Sequence, residues 1–326
     1  MKTPPPHLDV RLTDADRSTA LAADVRAGLT AERKLVPSKW LYDDRGSDLF
    51  EEITLLPEYY PTRAERSILE AHANDIARAS GAATLVELGS GASLKTRLLL
   101  DALGRAGTLR SFVAFDVAEG MLRQSLATLG DDYPAIAMAG VVGDFEVHLD
   151  DLPASDKRLV AFLGGTVGNL EPSSRKAFFA TVAGQLHEGE GLLLGTDLVK
   201  APERMIAAYD DPAGVTEAFE KNVLSVINTA LHADFDADAF AYRAVWSEVE
   251  ERIEMGVVSR GAQRVRIADL DLVVDLADGE EIRTEVSAKF HLDRIGDEMH
   301  GAGLEPVASW TDPAGDFGLT LARRTA

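Results

Sequence analysis

Residues 84–91 read Thr-Leu-Val-Glu-Leu-Gly-Ser-Gly, an apolar run that meets an acidic residue and then a glycine turn. Thr84, Leu85, Val86 and Leu88 predict a parallel strand buried on both faces, because such strands appear as nearly unbroken apolar stretches. Gly89 and Gly91 permit a sharp turn and a close approach of ligand to backbone, and Glu87 supplies a carboxylate at the strand's end. In open α/β sheets, ligands sit outside the carboxyl ends of the strands, beside turns of this kind.

Phosphate-cradling patterns do not fit. A dinucleotide fingerprint needs G-x-G-x-x-G, but its third glycine position holds Leu94. A phosphate loop needs G-x-x-x-x-G-K-[ST]; Lys95 and Thr96 are present, yet the required second glycine is again Leu94. An acidic residue two before G-x-G instead suits S-adenosylmethionine, which carries an ammonium and a cationic sulfonium. A tight connection with no ligand is the competing reading.

Composition narrows the class. The chain has 326 residues, room for one large domain or two ordinary ones, and 46% hydrophobic content supports a sizeable core. A formal net charge of −21 argues against nucleic acid or an anionic membrane surface as partner. With no cysteine, disulfides and thiolate metal sites are excluded. The N-terminus lacks an apolar signal core and no apolar run reaches membrane-spanning length, so a cytoplasmic protein is expected. A monomer acting on a small molecule is expected beside it.

Around the glycine turn, strand and helix patterns alternate. Helices are expected at 63–79, 93–106, 120–129 and 173–187, and strands at 111–116, 136–142, 158–164 and 191–198. That rhythm predicts a doubly wound parallel sheet with helices on both faces. Upstream, 21–29 and 48–56 have helical patterns. After Leu198 the rhythm breaks: 202–209 and 215–231 read as helices, and 240–290 becomes strand-like with alternating charge, as at 264–274 and 282–290. Asp278-Gly279 is a turn signal. Residues 291–303 predict a helix, and two closing antiparallel strands around 313–315 would edge the first sheet. A change of period at this point predicts an inserted or appended substrate module.

Several residues carry chemistry. Asp116 ends a strand where a carboxylate can accept both hydroxyls of a ribose; a helix N-cap is the competing use. Asp144-Phe145 follow the next strand and pair an acceptor with a ring, as an adenine requires, or form a loop acid beside a core ring. Gly164–Leu170, GGTVGNL, expose backbone after the fourth strand, with Asn169 offering both a donor and an acceptor. Glu285 and Ser287 share one face of a strand and together could grip a ring N–H; on residue type alone, a solvated strand face is the simpler reading. Asp234, Asp236 and Asp238 imitate a calcium loop but lack its sixth-position glycine and twelfth-position glutamate, and the seven histidines show no ligand spacing. No metal is expected.

In order, KWLYDDRGSDLFEEIT (39–54), LPEYYPTRAE (56–65), ELGSGASLKT (87–96), FDVAEGML (115–122), GDF (143–145), FLGGTVGNL (162–170), LLLGTDLVK (192–200), AYDDPAGVTEAFEKNVL (208–224), EERIEM (250–255) and TEVSAKF (284–290) resemble the histidine N-alpha-methyltransferases of ergothioneine biosynthesis. The resemblance runs from about residue 20 to the C-terminus, and LPEYYPTR, GNL and TEVS are more specific than the glycine turn. It implies an α/β fold: a doubly wound, Rossmann-like methyltransferase sheet (63–199 and 289–326) with a smaller α+β substrate-binding domain (1–62 and 200–288). It also implies roles. Gly89, Lys95, Asp116, Asp144 and Phe145 match positions that hold S-adenosylmethionine, and Tyr42 a tyrosine near both ligands. Asn169 and Tyr209 match the residues for the substrate's amino and carboxylate ends, with the Gly164 carbonyl nearby. Tyr59, Glu285 and Ser287 match the imidazole-binding group, Met255 lines that pocket, and Phe50 and Thr216 match further positions in it. Gly165, Val167 and Gly256 depart from the pattern. Catalysis is expected of Tyr42 and Asn169.

The expected reaction is threefold methylation of the α-amine of L-histidine to hercynine. Within the class, another aromatic amino acid such as tryptophan is the alternative acceptor. A nicotinamide-dependent oxidoreductase is disfavoured by Leu94, and a non-catalytic binding module by the intact amino-acid clamp.

Overall fold

Thr84–Leu88 is the fourth strand of an eight-stranded sheet in the computed structural model, which describes residues 6–91, 93–149, 152 and 155–325. Its neighbours are Ser111–Asp116 on one side and Arg158–Phe162 on the other, both parallel to it. Beyond the first lie Ala137–Val142 and, at that edge, His7–Val10, also parallel. Beyond the second come Gly191–Asp197, parallel, then Phe317–Arg324, antiparallel to it, and at that edge Leu304–Thr311, antiparallel in turn to Phe317–Arg324. The strand order therefore reverses at Thr84–Leu88, the place where an open α/β sheet leaves a crevice at its carboxyl ends.

Contacts divide the chain into two units. The first holds Met1–Leu12, Pro61–Val199 and Lys289–Ala326; the second holds Thr13–Tyr60 and Lys200–Ala288. His7–Val10 belongs to the first unit through its pairing with Ala137–Val142, although no strand is expected there from its residues and the expected boundaries set it in the smaller module.

In the first unit the central strands are buried along their whole length, as their apolar runs predict. Helices Tyr60–Ser80, Thr96–Arg105 and Glu119–Asp132 supply the apolar side chains that pack with the sheet, among them Ile68, Leu69, Ile76, Leu99, Leu103, Leu122 and Leu126. The expected helix at 93–106 starts only at Thr96, because Ser93 adopts a left-handed φ of 53° within the glycine loop. The strand expected to run to Gly164 stops at Phe162, since Gly164 and Gly165 both turn with positive φ. Val199 and Phe290 are joined by a backbone hydrogen bond of 3.1 Å, so the chain leaves this unit and returns to it at adjacent points.

The second unit has a four-stranded sheet with order Lys34–Leu35, Glu281–Ala288, Arg252–Ser259 and Phe240–Ser247. Helix Val215–Leu231 packs with it and contributes Phe219, Val223, Leu224 and Ile227 to an apolar core shared with Trp40, Leu41, Leu49 and Met255. The stretch 264–274, expected as a strand, is instead a hairpin: Gln263–Ile267 and Leu272–Leu276 pair antiparallel around a short turn at Ala268–Leu270. Asp271, left-handed at φ 46°, makes that reversal without glycine or proline, which is why the alternating pattern hides it. Gly279, at φ 76°, closes the turn before Glu281–Ala288, as Asp278-Gly279 predicted.

Candidate active site

In the first unit, Gly89, Asp116, Asp144 and Phe145 follow or end adjacent strands at their carboxyl ends, and Lys95 stands at the start of the helix after the glycine loop. Gly89 turns at φ 64°, and a side-chain Cβ built on it would meet only open space. Its amide donates to the Phe115 carbonyl at 2.8 Å, which stitches the glycine loop to the next strand. Asp116, at the end of that strand, accepts from Gly91 N at 2.8 Å through one carboxylate oxygen and from Ala118 N at 2.9 Å through the other. Asp116 thereby ties the glycine loop to the following turn, but it is not the N-cap of the next helix, whose cap position is Ala118 with no side-chain cap bond. Asp144 follows the next strand; its Oδ1 accepts from Glu146 N at 2.9 Å, and its own amide donates to His148 Nδ1 at 3.0 Å. Phe145 is half-buried, edge-on to Phe162 with ring centroids 5.1 Å apart.

Glu87 behaves differently from its sequence reading. It is buried, and its carboxyl accepts from the Thr96 hydroxyl at the start of the next helix. Burial pushes its pKa up to about 8, against the opposing pull of Thr96 and Lys95. Glu87 thus braces the two ends of the glycine loop from beneath.

Lys95 donates to Glu65, a residue the sequence reading did not single out. Glu65 lies fully buried in helix Tyr60–Ser80, and its carboxylate also accepts from the Gly164 amide at 2.8 and 3.0 Å. Gly195 makes this possible: a Cβ there would come 2.3 Å from the Glu65 carboxylate. One acid therefore holds Gly164, at the head of the GGTVGNL loop, and Lys95, after the glycine turn. Asn169 ends the 3-10 turn Thr166–Asn169 and is half-buried. The departures at 165 and 167 are structural, since Gly165 takes a φ of 73° and Val167 is a wholly buried core residue.

Of the predicted substrate residues, Tyr59, Tyr209, Met255, Glu285 and Ser287 lie in the second unit, and Gly164 and Asn169 in the first. Tyr209 ends helix Pro202–Tyr209, and its hydroxyl lies 2.9 Å from the Ser287 hydroxyl. The Tyr59 ring is edge-on to Tyr209 at 5.9 Å, and Phe50 follows at 6.3 Å from Tyr59. Tyr42 stands edge-on to Phe50 and Phe219, at 5.5 and 5.3 Å. The result is an aromatic group with polar tips. Its scaffold is set by Asp43, which caps helix Asp44–Leu55 by accepting from Gly46 N at 2.8 Å and also accepts from Asn222 at 2.7 Å. Gly46 cannot be larger, because a Cβ would sit 1.6 Å from the Leu41 carbonyl oxygen.

Glu285 and Ser287 are both buried, so the solvated-face reading of this strand is corrected. Met255, fully buried, pairs across the ladder from Glu285. Gly256 follows it because a Cβ there would lie 2.8 Å from the Ile282 carbonyl oxygen and 2.7 Å from Glu281, whose side chain fills that volume. Thr216 is buried near the start of helix Val215–Leu231, its amide donating to Asp211 at 2.8 Å. Burial raises the Tyr42 phenol well above the ordinary tyrosine value, with Glu285 adding to it, so this hydroxyl keeps its proton near neutrality.

Among the described residues, no group of three or more His, Cys, Asp and Glu side chains is gathered to hold a metal ion. No described helix is long and apolar enough to cross a membrane.

A sheet with a glycine turn and acids at successive strand ends is the architecture of enzymes that use a nucleoside-bearing cofactor. A family model for S-adenosylmethionine-dependent, histidine-specific methyltransferases matches residues 21–324. The chain is 57% identical over 305 residues to the histidine N-alpha-methyltransferase of Mycolicibacterium smegmatis, covering 94% of this chain and 95% of that one. Identity to the enzyme of the same name from Mycobacterium tuberculosis is 52%, with the same coverage. Ergothioneine biosynthesis protein 1 of Schizosaccharomyces pombe is 34% identical over 229 residues, 67% of this chain and 30% of that protein. The chain belongs to the histidine-specific, S-adenosylmethionine-dependent methyltransferase family.

Proposed function

We propose that the protein trimethylates the α-amino group of L-histidine to hercynine, the first step of ergothioneine biosynthesis. The observation that carries this reading is the burial of Glu285 and Ser287 on one strand face, with the Ser287 hydroxyl 2.9 Å from that of Tyr209. A neutral imidazole has one N–H donor and one acceptor nitrogen. An ionised Glu285 accepts the first, and a hydroxyl of the Ser287–Tyr209 pair donates to the second. An indole has a donor only and would leave that hydroxyl without its partner, which disfavours tryptophan.

S-adenosylmethionine supplies an activated methyl group on a sulfonium. Gly89 fits it because open space lies where a side chain would stand, and Asp116, Asp144 and Phe145 offer acceptors and a ring face at the neighbouring strand ends. Lys95 contributes through Glu65, which fixes the loop around it. The neutral amine attacks in line: an N–C bond forms as the C–S bond breaks, and S-adenosylhomocysteine leaves. Holding nitrogen, methyl and sulfur in line and excluding water is the main source of rate.

Asn169 serves the amino end of histidine, Tyr209 the carboxylate end, and Tyr59 and Met255 flank the ring. After each of the first two transfers the new ammonium must lose a proton. Tyr42, whose phenol stays protonated, takes part as a relay and not as a phenolate base. As methyl groups accumulate, donors are lost, and aromatic faces stabilise the cation by about 0.5–2 kcal/mol per contact.

Mass spectrometry of histidine incubated with the protein and methyl-labelled S-adenosylmethionine tests this reading. A product carrying three labelled methyl groups on the α-nitrogen is expected. Methylation on the ring, or none, would reject it.

A further inference from the structure

Beneath Glu285 lies a second acid that neither the reaction nor the resemblance uses. Glu220, in helix Val215–Leu231, is wholly buried. Its Oε2 accepts from the Thr284 hydroxyl, which also approaches the Met255 carbonyl at 3.3 Å. Thr284 is able to do this because the strand register slips between Arg283 and Glu285, leaving Thr284 outside the ladder with Arg252–Ser259. Two consecutive residues, Thr284 and Glu285, thereby both interact with the same helix residue.

Among the described residues, no N–H or hydroxyl donates to the other Glu220 oxygen, Oε1, although it is fully buried. What Glu220 does meet is the Glu285 side chain, with which it hydrogen bonds. Two carboxylates cannot hydrogen bond unless one carries a proton, and two buried like charges side by side are strongly disfavoured. With Glu220 fully buried and Glu285 nearly so, the two carboxyls therefore hold one proton between them. Burial pushes the Glu220 carboxyl up to about 7, while its bonds with Thr284 and Glu285 pull the other way.

We propose that Glu220 is a positioning residue for substrate recognition: anchored by the Thr284 hydroxyl and sharing one proton with Glu285, it holds the Glu285 carboxyl in place to accept the imidazole N–H. Thr284 donates to Glu220 at one end of the pair, and the imidazole donates to Glu285 at the other. The arrangement gives the site one negative charge instead of two, and it satisfies the orphaned oxygen. It rests on the histidine reading given above.

The test compares Glu220→Gln with Glu220→Met in steady-state histidine methylation. An amide donates and accepts as the protonated acid does, so Glu220→Gln should keep the histidine KM within about threefold of the parent. Glu220→Met removes both bonds at similar volume and should raise the histidine KM by about tenfold or more, with kcat and the S-adenosylmethionine KM changed far less. Should Glu220→Met not fold, Thr284→Val replaces it, with an expected severalfold rise in histidine KM. Equal losses in the Gln and Met variants, or an unchanged histidine KM in Met or Val, would overturn the assignment. A parent protein with no histidine turnover would sink the functional reading itself, which separates the two failures.

Discussion

The Lys95 ammonium bonds to the Glu65 carboxylate, a buried side chain that also accepts the Gly164 amide at 2.8 Å. One acid in a helix thus fixes the loop after the glycine strand and the loop after Arg158–Phe162. Removing one partner of a buried pair leaves the other uncompensated, at a cost of about 3–5 kcal/mol. Glu65→Ala should therefore lower the thermal midpoint sharply and weaken S-adenosylhomocysteine binding. Glu65→Gln, which still accepts from Gly164, should lose less on both counts. Calorimetric melting and titration read the two effects separately.

Asp116 offers a narrower test of cofactor binding. Asp116→Ala removes the acceptor proposed for the ribose, together with those of the Gly91 and Ala118 amides. Loss of charged hydrogen bonds of this kind corresponds to about a 10- to 100-fold weaker dissociation constant for the cofactor. Binding unchanged in isothermal titration would remove Asp116 from the cofactor site.

Glu87 makes stability depend on pH. Its folded-state pKa of about 8 lies above its ordinary value of 4.5. Between those values the folded protein holds a proton that the unfolded chain has released, so stability falls as pH rises through that window. Glu87→Gln keeps a neutral acceptor for Thr96 and removes the titration. The variant should lose less stability than the parent between mildly acidic and mildly alkaline pH, measured by denaturant unfolding without cofactor. Parallel pH profiles would contradict this.

Asn169 should matter at the amino end of the substrate. Asn169→Ala is expected to raise the histidine KM and lower turnover severely while leaving cofactor affinity near that of the parent. Steady-state kinetics with both substrates varied distinguishes the two, and near-normal histidine kinetics would take Asn169 out of the site.

These residues were not equally legible in the sequence. Thr84–Leu88 and its parallel neighbours announce themselves because strands covered on both faces are uninterrupted apolar runs. Asp116 and Asp144 could be found because each directly follows such a run. Glu65 and Glu220 could not: a glutamate in an amphipathic helix looks like a solvated face, and only tertiary packing buries it. A local cue for Glu65 existed in Gly195, whose missing side chain makes its room, but the two are far apart in the chain. The burial of Glu285 was hidden for the same reason, since alternating polarity on a strand normally marks the wet side. The hairpin at 263–276 escaped because its turn uses Asp271 where glycine or proline is usual.

The proposal that Glu285 and Ser287 choose an imidazole is best examined with a panel of free amino acids, comparing kcat/KM for histidine and tryptophan in the parent and in Glu285→Ala. The parent should prefer histidine strongly, and the variant should lose histidine efficiency by about tenfold or more while its discrimination against tryptophan narrows. A parent that favours tryptophan, or a variant with its histidine preference intact, would contradict the role given to the buried acid.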